Sequence, residues 1–478
     1  MRRYAVKPPP YRAKLTTGIA HFGPGAFHRA HQADYVHRLV ERDPRWGIAA
    51  VSLRSAGTVD ALRRQDGLYT LAILDDRVSF RTIGVHNRFF GPDDAAALRR
   101  QLLDPAIGII TSTVTEKGYC LAADGSLDFD HPDIVHDVGR RERPRSLIGW
   151  LVLALADRRA AGLPAPAIIC CDNMSSNGRK LGIAVGQLAA RNDAELARWI
   201  AGEARFPNTM VDSITPATTD ALRALVRERA GIDDALPVSR EAYAEWVIED
   251  VLPAGAPDLA EAGATMTGDV AAWEKAKLRI LNGAHSTLAY VGLAFGLQTV
   301  ADAMADELLC AFVERLIALD IIPSLDPSPL DLRSYARQTL QRFRNPAIHH
   351  QLSQIAWDGS QKLPYRLLDT ALDAINAGRP HDRMAIPVAA WVLFLERQSR
   401  AKSEIVDPLS ELLAGLATGP DPVRAILDVR RIFPPALGPD SHFGQAVTEA
   451  YSGMLTNGPR AFLRGEMALE ARRSSHGF

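Results

Sequence analysis

The chain has 478 residues, about three times the size of an average domain, so two large domains or three small ones are expected. Hydrophobic residues make up 47% and charged residues 23%, a balance that excludes an intrinsically disordered chain. Lys+Arg 55 against Asp+Glu 56 leave a net charge of -1, so no global field exists to hold nucleic acid or an anionic membrane, and neither is expected as a partner.

The first residues, MRRYAVKPPPYRAKL, are basic but run into three prolines with no apolar core, so a secretory signal is not expected. Next, GIAHFG (18–23) predicts a strand and the amphipathic stretch Phe27 to Glu41 a helix. GIAAVSL (47–53) then predicts a strand, VDALRRQ (59–65) a helix, and IGIITSTVT (107–115) and PAIICCDN (166–173) two further strands. Strands separated by helices imply a mostly parallel sheet, an α/β Rossmann-type domain placed at residues 1–272. Over 273–478, stretches rich in Ala, Leu, Arg and Gln keep helical spacing between breaks such as PSLDPSPLD and NPAIHH, which predicts a mainly α-helical second domain. The tail EARRSSHGF is expected to fray.

The longest strongly apolar run, Leu147 to Ala156, is far short of the roughly 20 residues that span a bilayer. Cys120, Cys170, Cys171 and Cys310 show no CxxC spacing, and the adjacent pair would point to opposite faces of a strand. A reducing, cytoplasmic setting with neither disulfide nor zinc is the expectation.

Three segments carry candidate chemistry. In GIAHFGPGAFHRAH (18–31) a strand meets Gly23-Pro24-Gly25 and a helix start, which suits the close approach of a pyrophosphate but also an ordinary tight turn. His28 stands where a third glycine belongs, and its i, i+3 spacing to His31 would allow metal chelation, though no cysteine or carboxylate nearby completes a ligand set. His21 and His37 lie close by, and structural roles for all four are favoured. CDNMSSNG (171–178) ends a strand and starts a helix, where Asn173 fits a donor to a substrate oxygen or a simple helix cap. In WEKAKLRILNGAHSTLAY (273–290), Glu274, Lys277, Asn282 and His285 fall within an arc of about 140° on an ideal helix. Burial in such a segment suits a lysine to general-base work and an Asn amide to an oxyanion, while the alternative is a solvated polar face. Asn282-Gly283 also offers a place for the helix to be interrupted.

Lys277, Asn282 and His285 match the K-x4-N-x2-H signature of the polyol-specific long-chain dehydrogenases, and the chain resembles this mannitol dehydrogenase family. GAFHRAHQ (25–32), TVTEKGY (113–119), CDN (171–173) and NTMVD (208–212) follow the family's order, so the likeness covers almost the whole chain. The resemblance implies a zinc-independent, NAD(P)-dependent oxidoreductase acting on a small sugar acid or polyol. It makes Lys277 the general base, Asn173 and Asn282 holders of the reacting oxygen, and His285 a partner of substrate hydroxyls. Glu274 resembles a carboxylate that gates proton exchange, and Asp212 one that orients the network. Gly23, Gly25, Ala26, Phe27 and Thr115 are implied as cofactor contacts.

Two positions depart from the family pattern. Ser213 stands where VDR is usual, and Gln354 stands where mannitol dehydrogenases carry an arginine eight residues before the basic residue matched by Lys362. The segment QIAWDGSQKLPYRLLD is most similar to the fructuronate reductase (mannonate oxidoreductase) branch, whose substrate carboxylate needs a cation, with Lys362, Arg366 and Arg344 as candidates. Past the second strand, Arg54, Ser55 and Ala56 occupy the place of the usual ribose-binding acid, which fits NADP, while Asp60 further on keeps NAD ahead. D-mannonate/D-fructuronate is therefore the expected substrate pair. Mannitol 2-dehydrogenase or D-arabinitol 4-dehydrogenase activity is the rival within the class, and a non-catalytic dinucleotide sensor the rival outside it.

Overall fold

Five short segments pair side by side in the N-terminal part of the computed structural model: β1 (Thr17–Phe22), β2 (Gly47–Val51), β3 (His86–Phe90), β4 (Ile109–Ser112) and β5 (Ala167–Cys170). They form one sheet in the order β3-β2-β1-β4-β5 with every pair parallel, and His21 of β1 sits opposite Ala50 of β2 and Thr111 of β4. Four of these strands are buried along their whole length, as helices on both faces of a parallel sheet require. This is the Rossmann-type order, and it puts the turn after β1 at the carboxyl ends of the strands, where ligands bind. Cys170 packs into the core on one side of the sheet and Cys171 into the core on the other, as the alternation of a strand demands.

The structure describes residues 7–75, 77–345 and 350–475, and the chain divides into two units, Met1–Ala271 and Ala272–Phe478. In the first unit the apolar run from Leu147 is a core helix, Leu147–Ala160, started by Ser146, whose Oγ accepts from the Gly149 N–H at 2.9 Å. No described helix is long and apolar enough to cross a membrane.

The helix expected from Phe27 to Glu41 is two helices, Ala26–Ala30 and Gln32–Val40, with His31 between them at φ −114°, ψ −86°. Tertiary contacts override local propensity there. The His31 ring stacks on Phe27 at 5.0 Å, its Nε2 donates to the Glu245 carbonyl at 2.9 Å, and its Nδ1 accepts from the Gln32 amide at 2.9 Å. Two small sheets escaped the pattern reading: Tyr69–Leu74 with Ser79–Ile83 and Val238–Glu241, and Thr209–Asp212 with Glu245–Glu249 and Thr265–Thr267. Buried Asp34 ties the helix Gln32–Val40 to the former through Arg240, at 2.8 Å, and Arg81.

The second unit is helical, with no named strand among its described residues. Helices Ala284–Ala294, Ala385–Arg400 and His442–Asn457 pack in series around fully buried Trp391 and Phe443. Three π-helical segments, Lys277–Gly283, Ile317–Ile321 and Pro364–Leu368, interrupt the regular helices. Such segments occur often at functional sites, and two of the three carry candidate residues.

Candidate active site

The turn after β1 is built by short-range clamping. Gly23 has φ +88°, and a Cβ there would lie 2.2 Å from the Thr113 carbonyl, so only glycine fits. The Gly23 carbonyl accepts from Thr113 Oγ1 at 2.7 Å and from the Gly25 N–H at 2.6 Å. With the Thr113 proton so committed, His21 Nε2–H donates to Thr113 Oγ1 at 3.0 Å, which leaves Nδ1 to accept from Thr111 Oγ1 at 2.7 Å. Burial pushes the His21 pKa down to about 3, so the ring is a neutral strut. At exposed Gly25 a Cβ would meet nothing nearer than 3.8 Å, leaving the backbone open to a ligand, with Ala26 and Phe27 half-buried beyond it. A tight clamped turn beside an open glycine fits a dinucleotide pyrophosphate.

The neighbouring histidines are interior residues. His28 stacks on His21 at 3.4 Å and its Nε2 lies 3.0 Å from His86 Nε2, one ring donating to the other, while burial pushes both pKa values well down. His31 is held by Glu245 and Gln32, so the i, i+3 pair does not converge. Among the described residues, the His, Cys and acid groups whose ligand atoms do converge are Cys120/His131/Asp133 and His381/Asp382/His442. Asp133 is paired with Arg54 and Asp382 with His442.

Arg54, exposed beyond β2, puts Nη2 2.9 Å from Asp133 Oδ2, and Asp60 is paired with Arg63 at 2.7 Å. After β4 the chain enters a strained loop, with Thr115 at φ 67°, ψ 160°, a region that β-branched residues avoid. Asp172 holds this loop by accepting from the Val114 N–H at 2.9 Å and the Tyr119 hydroxyl at 2.6 Å, and burial raises its pKa above the usual carboxylate value. Asn173 follows it on the surface. Buried Asn177 splices β5 to the strand Thr209–Asp212: its amide donates to the Cys170, Asp172 and Thr209 carbonyls and its Oδ1 accepts from the Thr209 N–H at 2.9 Å. Sequence reasoning named Asn173 and passed over Asp172 and Asn177, whose partners lie 58 and 32 residues away. Asp212 is buried at the end of its strand, and Ser213, in the arginine position of the family pattern, donates to the Tyr243 carbonyl at 2.9 Å.

In the second unit, helix Val270–Ala276 carries half-buried Glu274 and runs into the π segment Lys277–Gly283, which holds buried Lys277 and half-buried Asn282. The wider π turn advances each residue by less than the 100° of an α-helix, so the arc drawn on an ideal helix does not describe this face. Buried Arg279 pins the segment through Asp373 at 2.6 Å and Ser324 Oγ at 2.9 Å. Gly283 lets it press against the π segment Pro364–Leu368, since a Cβ there would lie 2.7 Å from the Arg366 carbonyl.

His285, one turn on, stacks on Phe343 at 4.8 Å and meets His350 edge-on at 4.7 Å. Burial drives its pKa well down, and the ionisable groups that bear on it, His350, Arg366, Arg342 and Lys362, are all of basic type. Its Nε2 and His350 Nδ1 are buried without a hydrogen-bond partner among the described residues. Arg366 donates to Ser286 Oγ at 3.1 Å, and Lys362 donates to the Trp357 carbonyl at 2.6 Å with Asp358 at 3.7 Å. The structure thus brings Lys362 and Arg366 to His285 and adds His350, whose mid-loop position gave no pattern to read. Arg344, the residue after Phe343, pairs its guanidinium with Glu314 at 3.0 Å.

Residues 17–261 match the family described as the mannitol dehydrogenase Rossmann domain and residues 269–455 the mannitol dehydrogenase C-terminal domain. The D-mannonate oxidoreductase of Escherichia coli (strain K12) is 37% identical over 463 residues, covering 94% of this chain and 95% of that one. The structure of a substrate-free D-sorbitol dehydrogenase superposes with a TM-score of 0.90 at 32% identity, covering 95% of this chain and 96% of that one. A Pseudomonas fluorescens mannitol 2-dehydrogenase, in ternary complex with NAD and D-mannitol, gives 0.79 at 36% identity, with 96% and 95% covered. Matched by both domains of that family over most of its length, the chain belongs to the mannitol dehydrogenase family of oxidoreductases.

Proposed function

We propose that this protein transfers hydride between NAD(H) and the secondary alcohol or ketone of a sugar acid, with D-mannonate and D-fructuronate as the pair. The observation that carries the reading is the basic surround of His285: Arg366, which donates to the adjoining Ser286 Oγ at 3.1 Å, and Lys362 both bear on an imidazole whose Nε2, like His350 Nδ1, has no hydrogen-bond partner among the described residues. A neutral polyol has no charge for two cations to meet, whereas a sugar carboxylate does. The 37% identity to a D-mannonate oxidoreductase supports the same substrate class. A polyol dehydrogenase is the second reading, favoured by the likeness to D-sorbitol dehydrogenase.

NAD supplies the hydride acceptor, and the clamped Gly23 turn with open Gly25 suits its pyrophosphate. Lys277, buried in the π segment, takes the hydroxyl proton as the carbon loses hydride. Asn282 steadies the oxygen with its amide, and Asn173 has the same role by family likeness. His285 is neutral, so Nε2 exchanges a hydrogen bond with a substrate hydroxyl without adding charge. Glu274 passes the proton on to solvent, and Asp212 orients the network. Oxidation of NADH with D-fructuronate, D-fructose and D-xylulose in turn tests this reading, which expects the acid to be the best substrate.

A further inference from the structure

We propose that Asp133 sets the dinucleotide preference by holding Arg54 and opposing a 2′-phosphate. The inference rests on the reading that the dinucleotide lies along the carboxyl ends of β1 and β2. Arg54 follows β2 by three residues, where a Rossmann site meets the adenosine ribose. A guanidinium alone there would favour NADP, because it pairs with phosphate through charge-assisted hydrogen bonds.

This guanidinium is already engaged, at 2.9 Å, by Asp133 Oδ2. Asp133 is the better-fixed partner. Its side chain is 22% exposed against 74% for Arg54. It sits in the first turn of helix Pro132–Gly139, where a carboxylate is favoured, and its N–H donates to His131 Nδ1 at 3.2 Å.

Buried Cys120 nearby has its thiol pushed up to about 11, chiefly by burial, with Asp133, Asp137 and Asp128 adding to the rise and Arg54 opposing it. A 2′-phosphate binding to Arg54 must either displace this carboxylate or share the guanidinium with it within a few ångströms, well inside a Debye length of about 10 Å. A 2′-hydroxyl carries no charge and is compatible with a carboxylate acceptor.

Affinities for NADH and NADPH, read by quenching of protein fluorescence, test this without any sugar substrate. Asp133→Ala and Asp133→Asn are each expected to tighten NADPH about tenfold while NADH changes less than about twofold, and the gain to shrink in added salt. Asp133→Asn keeps the side chain's size and guards against a disrupted helix start. The Arg54→Ala/Asp133→Ala double variant is expected to lose the gain. NADPH affinity unchanged in both single variants, or a gain that persists without Arg54, overturns the proposal. A wild-type protein that binds neither nucleotide overturns the dinucleotide reading itself.

Discussion

Lys277 is the residue on which the proposed chemistry turns, because the Asn282 amide has no basic nitrogen and burial makes the His285 imidazole a poor base. Lys277→Met is expected to lower kcat by about 10²-fold or more, the usual worth of a positioned general base, with NADH affinity unchanged. Steady-state rates beside a fluorescence titration of NADH check both halves. A variant that keeps most of its rate contradicts the assignment. Lys362 and Arg366 stand one step away from the chemistry, at the place proposed for the substrate carboxylate. Removing a cation from a desolvated carboxylate costs several kcal/mol, whereas a neutral hydroxyl's partner is worth about 0.5 to 1.5 kcal/mol. At least one of Lys362→Ala and Arg366→Ala is therefore expected to lower kcat/KM for D-fructuronate by about 10²-fold, against roughly tenfold or less for D-fructose. Equal penalties on both ketoses in both variants argue for a polyol site.

At the level of elements, the π segment Lys277–Gly283 is a built feature held from two sides, by Arg279 on Asp373 and by the Gly283 contact with the π segment Pro364–Leu368. Gly283→Ala forces a Cβ to within 2.7 Å of the Arg366 carbonyl, where backbone must shift. Urea unfolding is expected to show a loss of about 1 to 3 kcal/mol, and kcat to fall with it, since the shift moves Lys277 and Arg366 together. Full stability with full activity in that variant refutes the described packing. This segment also marks the limit of what the sequence conveys. The parallel strands were legible because buried β-runs such as GIAAV and AIIC are bounded by helix-forming text. The lysine signature was legible because its spacing is fixed. The hydrogen-bond slip that turns an α-helix into a π-helix leaves no mark on apolar periodicity, so the π turn at Lys277–Gly283 is not legible at 100° per residue. His350, Asp172 and Asp133 act through partners 65, 58 and 79 residues distant, and no local pattern announces such pairs. Arg344 pairs in the same way with Glu314, 30 residues away.

Across the whole molecule, burial holds His21, His28, His86 and His285 neutral, with pKa values below the ordinary 6.5 and that of His21 at about 3. In the unfolded chain all four return to about 6.5, so below that pH the unfolded state binds protons that the folded state refuses. Stability is therefore full above about pH 6.5 and falls as pH drops, by at most about 1.4 kcal/mol per pH unit for each such histidine. Urea midpoints compared between about pH 7 and pH 5 are expected to fall steadily, and a flat profile contradicts the neutral assignment. Family membership fixes the reaction class, and the charge of the substrate is what separates a sugar acid from a polyol. The most direct measurement is the ratio of kcat/KM for D-fructuronate to that for D-fructose, with NADH and the wild-type protein. A charge-assisted contact worth about 1.5 to 3 kcal/mol predicts a ratio of roughly 10 to 150 in favour of the acid. A ratio of one or below contradicts the sugar-acid reading and moves the assignment to a polyol dehydrogenase.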